Sequence, residues 1–127
     1  MAAAIPPRHL LVVEDDFDQR QVLKDRLQLY GYTVACVADG RTAMDRLDSG
    51  SFDGLMLDLN LPMLDGNEVL VQARQKFPNL PVLIMSASQS RIRAAKASPA
   101  KACGYLLKPF NAVEFKSALH CCFGAAT

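Results

Sequence analysis

The stretch Gly54-Leu55-Met56-Leu57-Asp58 decides the fold. It is a short apolar run closed by a carboxylate, and it leads into Leu59-Asn60-Leu61-Pro62-Met63-Leu64-Asp65-Gly66. A continuous apolar run of this length reads as a strand covered on both faces. A carboxylate at its carboxyl end stands where open α/β sheets place their chemistry. Two other runs end in the same way. Leu10-Leu11-Val12-Val13 precedes Glu14-Asp15-Asp16, and Tyr105-Leu106-Leu107 precedes Lys108-Pro109. If the strands are parallel, these charges converge on one point.

Working outward, His9 to Val13 reads as the first strand. Phe17 to Tyr30 follows as an amphipathic helix, with Val22, Leu23, Leu27 and Tyr30 on one side and Gly31 at its end. Thr33 to Val37 is a second strand, and Arg41 to Leu47 a helix. The third strand runs from Gly54 to Leu57. A helix from Asn67 to Lys76 turns Val69, Leu70, Ala73 and Phe77 to the core. Val82 to Met85 is a strand ending at Ser86, and Arg91 to Ala97 a short basic helix that Pro99 limits. Tyr105 to Leu107 is the fifth strand. Asn111 caps a last helix, Ala112 to Cys122, with Phe115, Leu119 and Cys122 spaced for burial. Strand and helix alternate five times. Right-handed crossovers leave few topologies, and a flavodoxin-like doubly wound (βα)5 fold with a parallel sheet of order 2-1-3-4-5 fits best. Residues 1–8 read as a flexible leader, 9–123 as one domain and 124–127 as a tail.

The chain has 127 residues, 50% hydrophobic and 21% charged, with a formal net charge of +1. That describes one globular domain rather than a disordered segment. No basic excess is available for phosphates, which argues against direct nucleic-acid binding. No apolar stretch approaches the roughly 20 residues that cross a bilayer, and no signal peptide is present, so the expected location is the cytoplasm. Cys36, Cys103, Cys121 and Cys122 lack C-x-x-C spacing and are expected to be free thiols. His120-Cys121-Cys122 has no second ligand cluster at zinc-finger spacing.

In the order 2-1-3-4-5, strands one and three are neighbours, so Glu14, Asp15 and Asp58 share a crevice. Crowded carboxylates need neutralising, and a hard divalent cation with oxygen ligands, Mg²⁺, suits them. Taken singly, Glu14 and Asp16 also read as helix-start acids. Lys108 reaches the crevice from strand five. Ser86 and the backbone N–H of Ala87 supply donors from strand four. A carboxylate nucleophile, a metal, an ammonium, a hydroxyl and an amide together suit phosphoryl transfer.

These residues carry a resemblance. Glu14-Asp15, Asp58 with Pro62 and Asp65-Gly66, Ser86-Ala87, and Tyr105-Leu106-Leu107-Lys108-Pro109-Phe110 resemble the response regulator receiver domain of two-component signalling, of the single-domain chemotaxis type. The resemblance covers residues 9 to about 122, and its weight lies in four motifs in order, each after a strand. It implies that Asp58 accepts a phosphoryl group from a sensor histidine kinase or a histidine phosphotransfer protein. It implies Mg²⁺ held by Asp15, Asp58 and the backbone carbonyl of Asn60, with Glu14 acting through water. Ser86, Ala87 N–H and Lys108 would hold phosphoryl oxygens, and Ser86 and Tyr105 would form the switch. The Lys108–Pro109 bond would be cis. The face of helix 4, strand 5 and helix 5, near Arg91, Arg93, Lys96 and Lys101, would change shape and serve an output partner or a homodimer. Such a domain phosphorylates and dephosphorylates itself and is not a turnover enzyme. Lys101, where a glycine is common, and nearby Pro99 are expected to distort the connection between helix 4 and strand 5.

Other readings compete. A haloacid-dehalogenase-type phosphatase needs a second Asp at position 60, which is Asn60. A flavodoxin needs a phosphate loop where Glu14-Asp15-Asp16 stand. A scaffold that keeps the fold but is never phosphorylated stays open.

Overall fold

Strands and helices alternate along the chain as β1 (His9–Val13), α1 (Phe17–Leu29), β2 (Thr33–Val37), α2 (Gly40–Ser49), β3 (Gly54–Asp58), α3 (Gly66–Lys76), β4 (Val82–Ser86), α4 (Gln89–Ala97), β5 (Gly104–Leu107) and α5 (Ala112–Phe123). The structure is a computed structural model that describes residues 8–62 and 64–124. The leader and tail expected at the chain ends fall almost wholly outside those residues. The sheet is parallel with order β2-β1-β3-β4-β5, as its alternation with helices requires. The fold is flavodoxin-like and doubly wound, and β1 and β3 lie side by side at its centre.

Strand geometry divides the core into two layers. Leu11, Val13, Leu55 and Leu57 face one layer, closed by Ala43, Met44, Leu47, Val69, Leu70, Ala73, Ile92 and Ala95. Leu10, Val12 and Met56 face the other, closed by Leu23, Leu27, Phe115, Leu119 and Phe123. Side chains therefore cover both faces of β3 and β4, and all ten of their residues are buried.

Helix starts are set by side-chain caps. Asp16, Asp39, Asp65, Ser88 and Asn111 each accept a backbone N–H in the first turn that follows. Ser88 therefore starts α4 two residues earlier than the basic run suggests. Val22 departs from expectation: it is 56% exposed, whereas Leu23 and Leu27 carry the buried stripe of α1. The i, i+4 pair seats on the sheet and turns Val22 toward a surface cavity.

The connection from α4 to β5 is well tied. The Arg74 guanidinium donates to the carbonyls of Lys101 at 2.8 Å and Leu80 at 2.7 Å, and Ala102 N–H donates to the Tyr105 hydroxyl. An arginine from α3 thus holds the Lys101 carbonyl.

Cys103 and Cys122 form a disulfide with Cα atoms 5.5 Å apart, which corrects the expectation of free thiols; Cys36 and Cys121 are free. Packing of α5 on β5 brings together two cysteines 19 residues apart, and no local spacing announces it. Closing a loop of this size stabilises by about 3 kcal/mol in the chain-entropy account. Reduction with dithiothreitol is therefore expected to lower the urea midpoint of the wild type but not of a Cys103→Ala, Cys122→Ala variant. Equal midpoints for reduced and oxidised wild type would count against the bond.

Candidate phosphoryl site

The carboxyl ends of β1, β3, β4 and β5 converge. Glu14 follows β1, with its side chain 1% exposed. Asp58 ends β3 and is equally enclosed, while neighbouring Asp15 is exposed. One carboxylate oxygen from each of Glu14, Asp15 and Asp58 lies within 4.8 Å of the others. Lys108, just past β5, sends its Nζ between them, 2.6 Å from Glu14 Oε1 and 2.7 Å from Asp58 Oδ2. The Lys108–Pro109 peptide is cis.

Local structure explains how these groups are held. Leu59 N–H donates to the Met85 carbonyl and so carries the β3–β4 pairing one residue past Asp58. Asn60 N–H donates to Asp58 Oδ1 at 2.8 Å, fixing the carboxylate plane and leaving Oδ2 to Lys108. Arg20 donates to the carbonyl of Glu14 at 2.8 Å and pins the turn after β1. Lys108 N–H donates to the Ser86 carbonyl, locking β5 to β4 at the crevice.

Burial pushes the Glu14 carboxyl up to about 7, and the charge of Asp58 adds to the effect against the opposing pull of Lys108. For Lys108, burial acts downward, but hydrogen bonds to Asp58 and Glu14 outweigh it and raise its pKa. One ammonium thus faces an excess of carboxylate. Enclosed oxygen donors with residual negative charge fit a hard divalent cation, and Mg²⁺, which keeps several waters, suits the open side at Asp15.

Of the other expected residues, Ser86, Ala87 and Asn60 border this point, whereas Tyr105 lies lower on β5 beside Ile84. Ser86 is fully buried at the end of β4, and its Oγ accepts the N–H of Ser88 at 3.0 Å. Ala87 and Lys108 line one cavity of about 540 Å³. Asn60 lines another, of about 400 Å³, together with Asp15. Tyr105 is half-buried, with the Lys96 ammonium 5.4 Å from its ring centre. Three residues take part in ways the sequence reading did not assign. Gln19 Oε1 accepts from Lys108 Nζ at 2.8 Å from one turn into α1. Arg91 lines the Asp15–Asn60 cavity. Gly66 packs its Cα against the backbone of Asp58 and Leu59. Asp65-Gly66 and the basic run from Arg91 stand out locally, but no local pattern assigns these contacts, because each depends on a distance set by tertiary packing.

Comparison with known proteins agrees with this geometry. Residues 10–120 match the family model described as response regulator receiver domain. The chain is 37% identical over 110 residues to the chemotaxis protein CheY of Pseudomonas aeruginosa, covering 84% of this chain and 89% of that one. It is 39% identical over 108 residues to the response regulator MprA of Mycolicibacterium vanbaalenii, covering 85% of this chain and 47% of that longer protein. Among solved structures, response regulator TrrA of Thermotoga maritima, in complex with Mg²⁺ and beryllofluoride, superposes with TM-score 0.81 at 31% identity, covering 88% of this chain and 96% of that one. A receiver domain from a sensor histidine kinase of Pseudomonas aeruginosa, with Mg²⁺ in its active-site cleft, gives 0.83 at 28% identity, covering 93% and 98%. Both of those structures hold Mg²⁺, and the carboxylate cluster here has the donors to hold such an ion. The chain belongs to the response regulator receiver domain family, the phosphoacceptor domain of two-component signalling.

Proposed function

We propose that Asp58 is the phosphoacceptor of this chain and that Lys108, Ser86 and the Ala87 N–H hold the phosphoryl oxygens. The observation that carries this reading is the Lys108 ammonium bridging Glu14 and Asp58 at the convergent strand ends. An Asp58 carboxylate oxygen forms the new P–O bond as the P–N bond of a phosphohistidine donor breaks, and the electron pair leaves with the imidazole. Asp15, Asp58 and the Asn60 carbonyl would ligate Mg²⁺, with Glu14 acting through water; the ion supplies charge neutralisation for the transferring group. Lys108 orients Asp58 and then meets the new anion. The chemistry is confined to the domain's own phosphorylation and dephosphorylation.

The donor is a histidine kinase or a phosphotransfer protein. The cavity beside Lys108 supports a docked donor element, since Val22, Leu23, Pro109 and Phe110 line it next to the reacting carboxylate. Phosphorylation adds about −2 of charge. Ser86 turning toward that charge would release Ser88 N–H at the start of α4, and Tyr105 would follow. The altered face is α4-β5-α5, where Leu107 of β5 and Val113 of α5 are exposed and α4 is basic, which suits an output partner or a second copy. The near-neutral charge leaves nucleic acid to other components. No helix among the described residues is long and apolar enough to cross a membrane, consistent with a cytoplasmic site of action.

Incubation with acetyl phosphate and Mg²⁺ is expected to add one phosphoryl mass to the intact protein. EDTA or Asp58→Asn should abolish it. An adduct that survives in Asp58→Asn would place the acceptor elsewhere.

A further inference from the structure

Arg91 is held in an unsettled way. Its guanidinium lies 3.6 Å from Asp65 Oδ1 and 3.5 Å from the Leu59 carbonyl, both longer than a well-made charge-assisted bond. Both partners of the ion pair are about half exposed, a setting in which such pairs contribute little. Arg91 also occupies the first turn of α4, where no acid is present and where the helix dipole disfavours a cation. Local structure therefore gives little reason for this residue to be here.

Its neighbourhood gives one. Leu59 directly follows Asp58, and the guanidinium touches its carbonyl. The side chain stands between two cavities. One, of about 380 Å³, is lined by Asn67 and Ser90. The other, of about 400 Å³, is lined by Asp15, Asn60 and Asp65 and opens on the carboxylate crevice. The second cavity gives the side chain open space on the side of Asp15 and Asn60, the residues that flank Asp58 in the crevice.

We propose that Arg91 is a second cation of the phosphoryl site. On phosphorylation its guanidinium exchanges Asp65 and the Leu59 carbonyl for the phosphoryl oxygens on Asp58 and closes the crevice mouth. This rests on Asp58 being the acceptor. A planar fork matches a phosphoryl group bidentately and gains far more from it than from a half-exposed carboxylate. Asp65 is then a competing anion, which holds Arg91 back in the unphosphorylated protein. Because Arg91 rides on α4, its exchange also transmits the new charge to that helix.

Beryllofluoride, a stable stand-in for the phosphoryl group, tests this by ¹⁹F NMR titration at saturating Mg²⁺. Arg91→Gln is expected to weaken its binding about tenfold, the loss of one charge-assisted contact. Arg91→Lys should fall between, since an ammonium keeps the charge but not the fork. Asp65→Asn should tighten binding, because it removes the competitor while Asn still caps α3. Mg²⁺ affinity in the absence of beryllofluoride should not fall in Arg91→Gln. Binding by Arg91→Gln within about twofold of wild type, or weakening by Asp65→Asn, would overturn the proposal. Wild type that binds beryllofluoride while Arg91→Gln is unchanged overturns this proposal alone. Wild type that binds none, and gains no phosphoryl mass, overturns the Asp58 reading with it.

Discussion

Lys108→Met is expected to cost the metal-free protein about 3 kcal/mol near neutral pH, the lower end of the range for breaking a buried ion pair. The lower end applies because the Lys108 side chain keeps 18% of its surface exposed, while Glu14 and Asp58 have almost none. Methionine retains the packing of the aliphatic stem and removes only the charge. The loss should depend on pH. In the wild type Glu14 has a folded-state pKa of about 7, above its ordinary 4.5. A carboxyl raised in this way binds more protons folded than unfolded, so its contribution to stability falls as pH rises from about 4.5 to about 7. Without Lys108 only the Asp16 N–H opposes burial, and that fall should extend to higher pH. The raised pKa of Lys108 has the same sign: its contribution is full below its ordinary value and is lost as pH rises through the elevated one. Urea unfolding at about pH 5.5 and about pH 8 checks this: the mutant's deficit should be small at the lower pH and large at the higher. Millimolar Mg²⁺ should restore much of it at the higher pH by replacing the lost cation. A deficit equal at both pH values, or untouched by Mg²⁺, would mean that Lys108 does not balance these carboxylates. The phosphoryl adduct should fall sharply in the same variant.

Gly66→Val is expected to destabilise the fold by more than about 3 kcal/mol, beyond the usual range of overpacking. A Cβ at Gly66 would lie 2.5 Å from the Asp58 carbonyl oxygen and 2.5 Å from Leu59 Cα. Both obstacles are backbone, so no rotamer change relieves them. Either α3 lifts from the sheet or the Asp58–Asn60 segment shifts, and the second course displaces the carboxylate. Gly104→Ala is the matched comparison. Its Cβ would meet Leu83 Cδ1, a side-chain end that can give, and the disulfide-bonded Cys122 Sγ, each at 3.0 Å, so a shift of tenths of an ångström suffices. Chemical denaturation should show a large loss for Gly66→Val and a small one for Gly104→Ala. Gly66→Ala, if it folds, should bind Mg²⁺ more weakly than Gly104→Ala. Equal behaviour of Gly66→Ala and Gly104→Ala in both measurements would remove Gly66 as the spacer of the site.

Much of the molecule was legible before any coordinates. The alternation of short apolar runs with amphipathic segments reports local periodicity, which a chain writes residue by residue. It delivered five strands, five helices and the order of the sheet. From that order the meeting of Glu14, Asp15, Asp58, Ser86 and Lys108 followed, because parallel strands bring their carboxyl ends to one edge. Boundaries were less legible. Ser88 begins α4 through a side-chain cap, and a basic run does not reveal which serine will accept the first free N–H.

What the sequence by itself determined is therefore the architecture and the charged residues at its strand ends. Tertiary structure alone decided the side-chain directions and the meetings between distant segments. Val22 turned outward because Leu23 and Leu27 took the sheet. Gln19 reached Lys108 across 89 positions, and Cys103 found Cys122 where α5 lies on β5. Gly66 and Arg91 drew their roles from the backbone they touch on another element. The physical reason is the same throughout. Periodicity and turn chemistry act within a few residues, whereas a contact depends on the docking of whole elements, to which every packed side chain contributes.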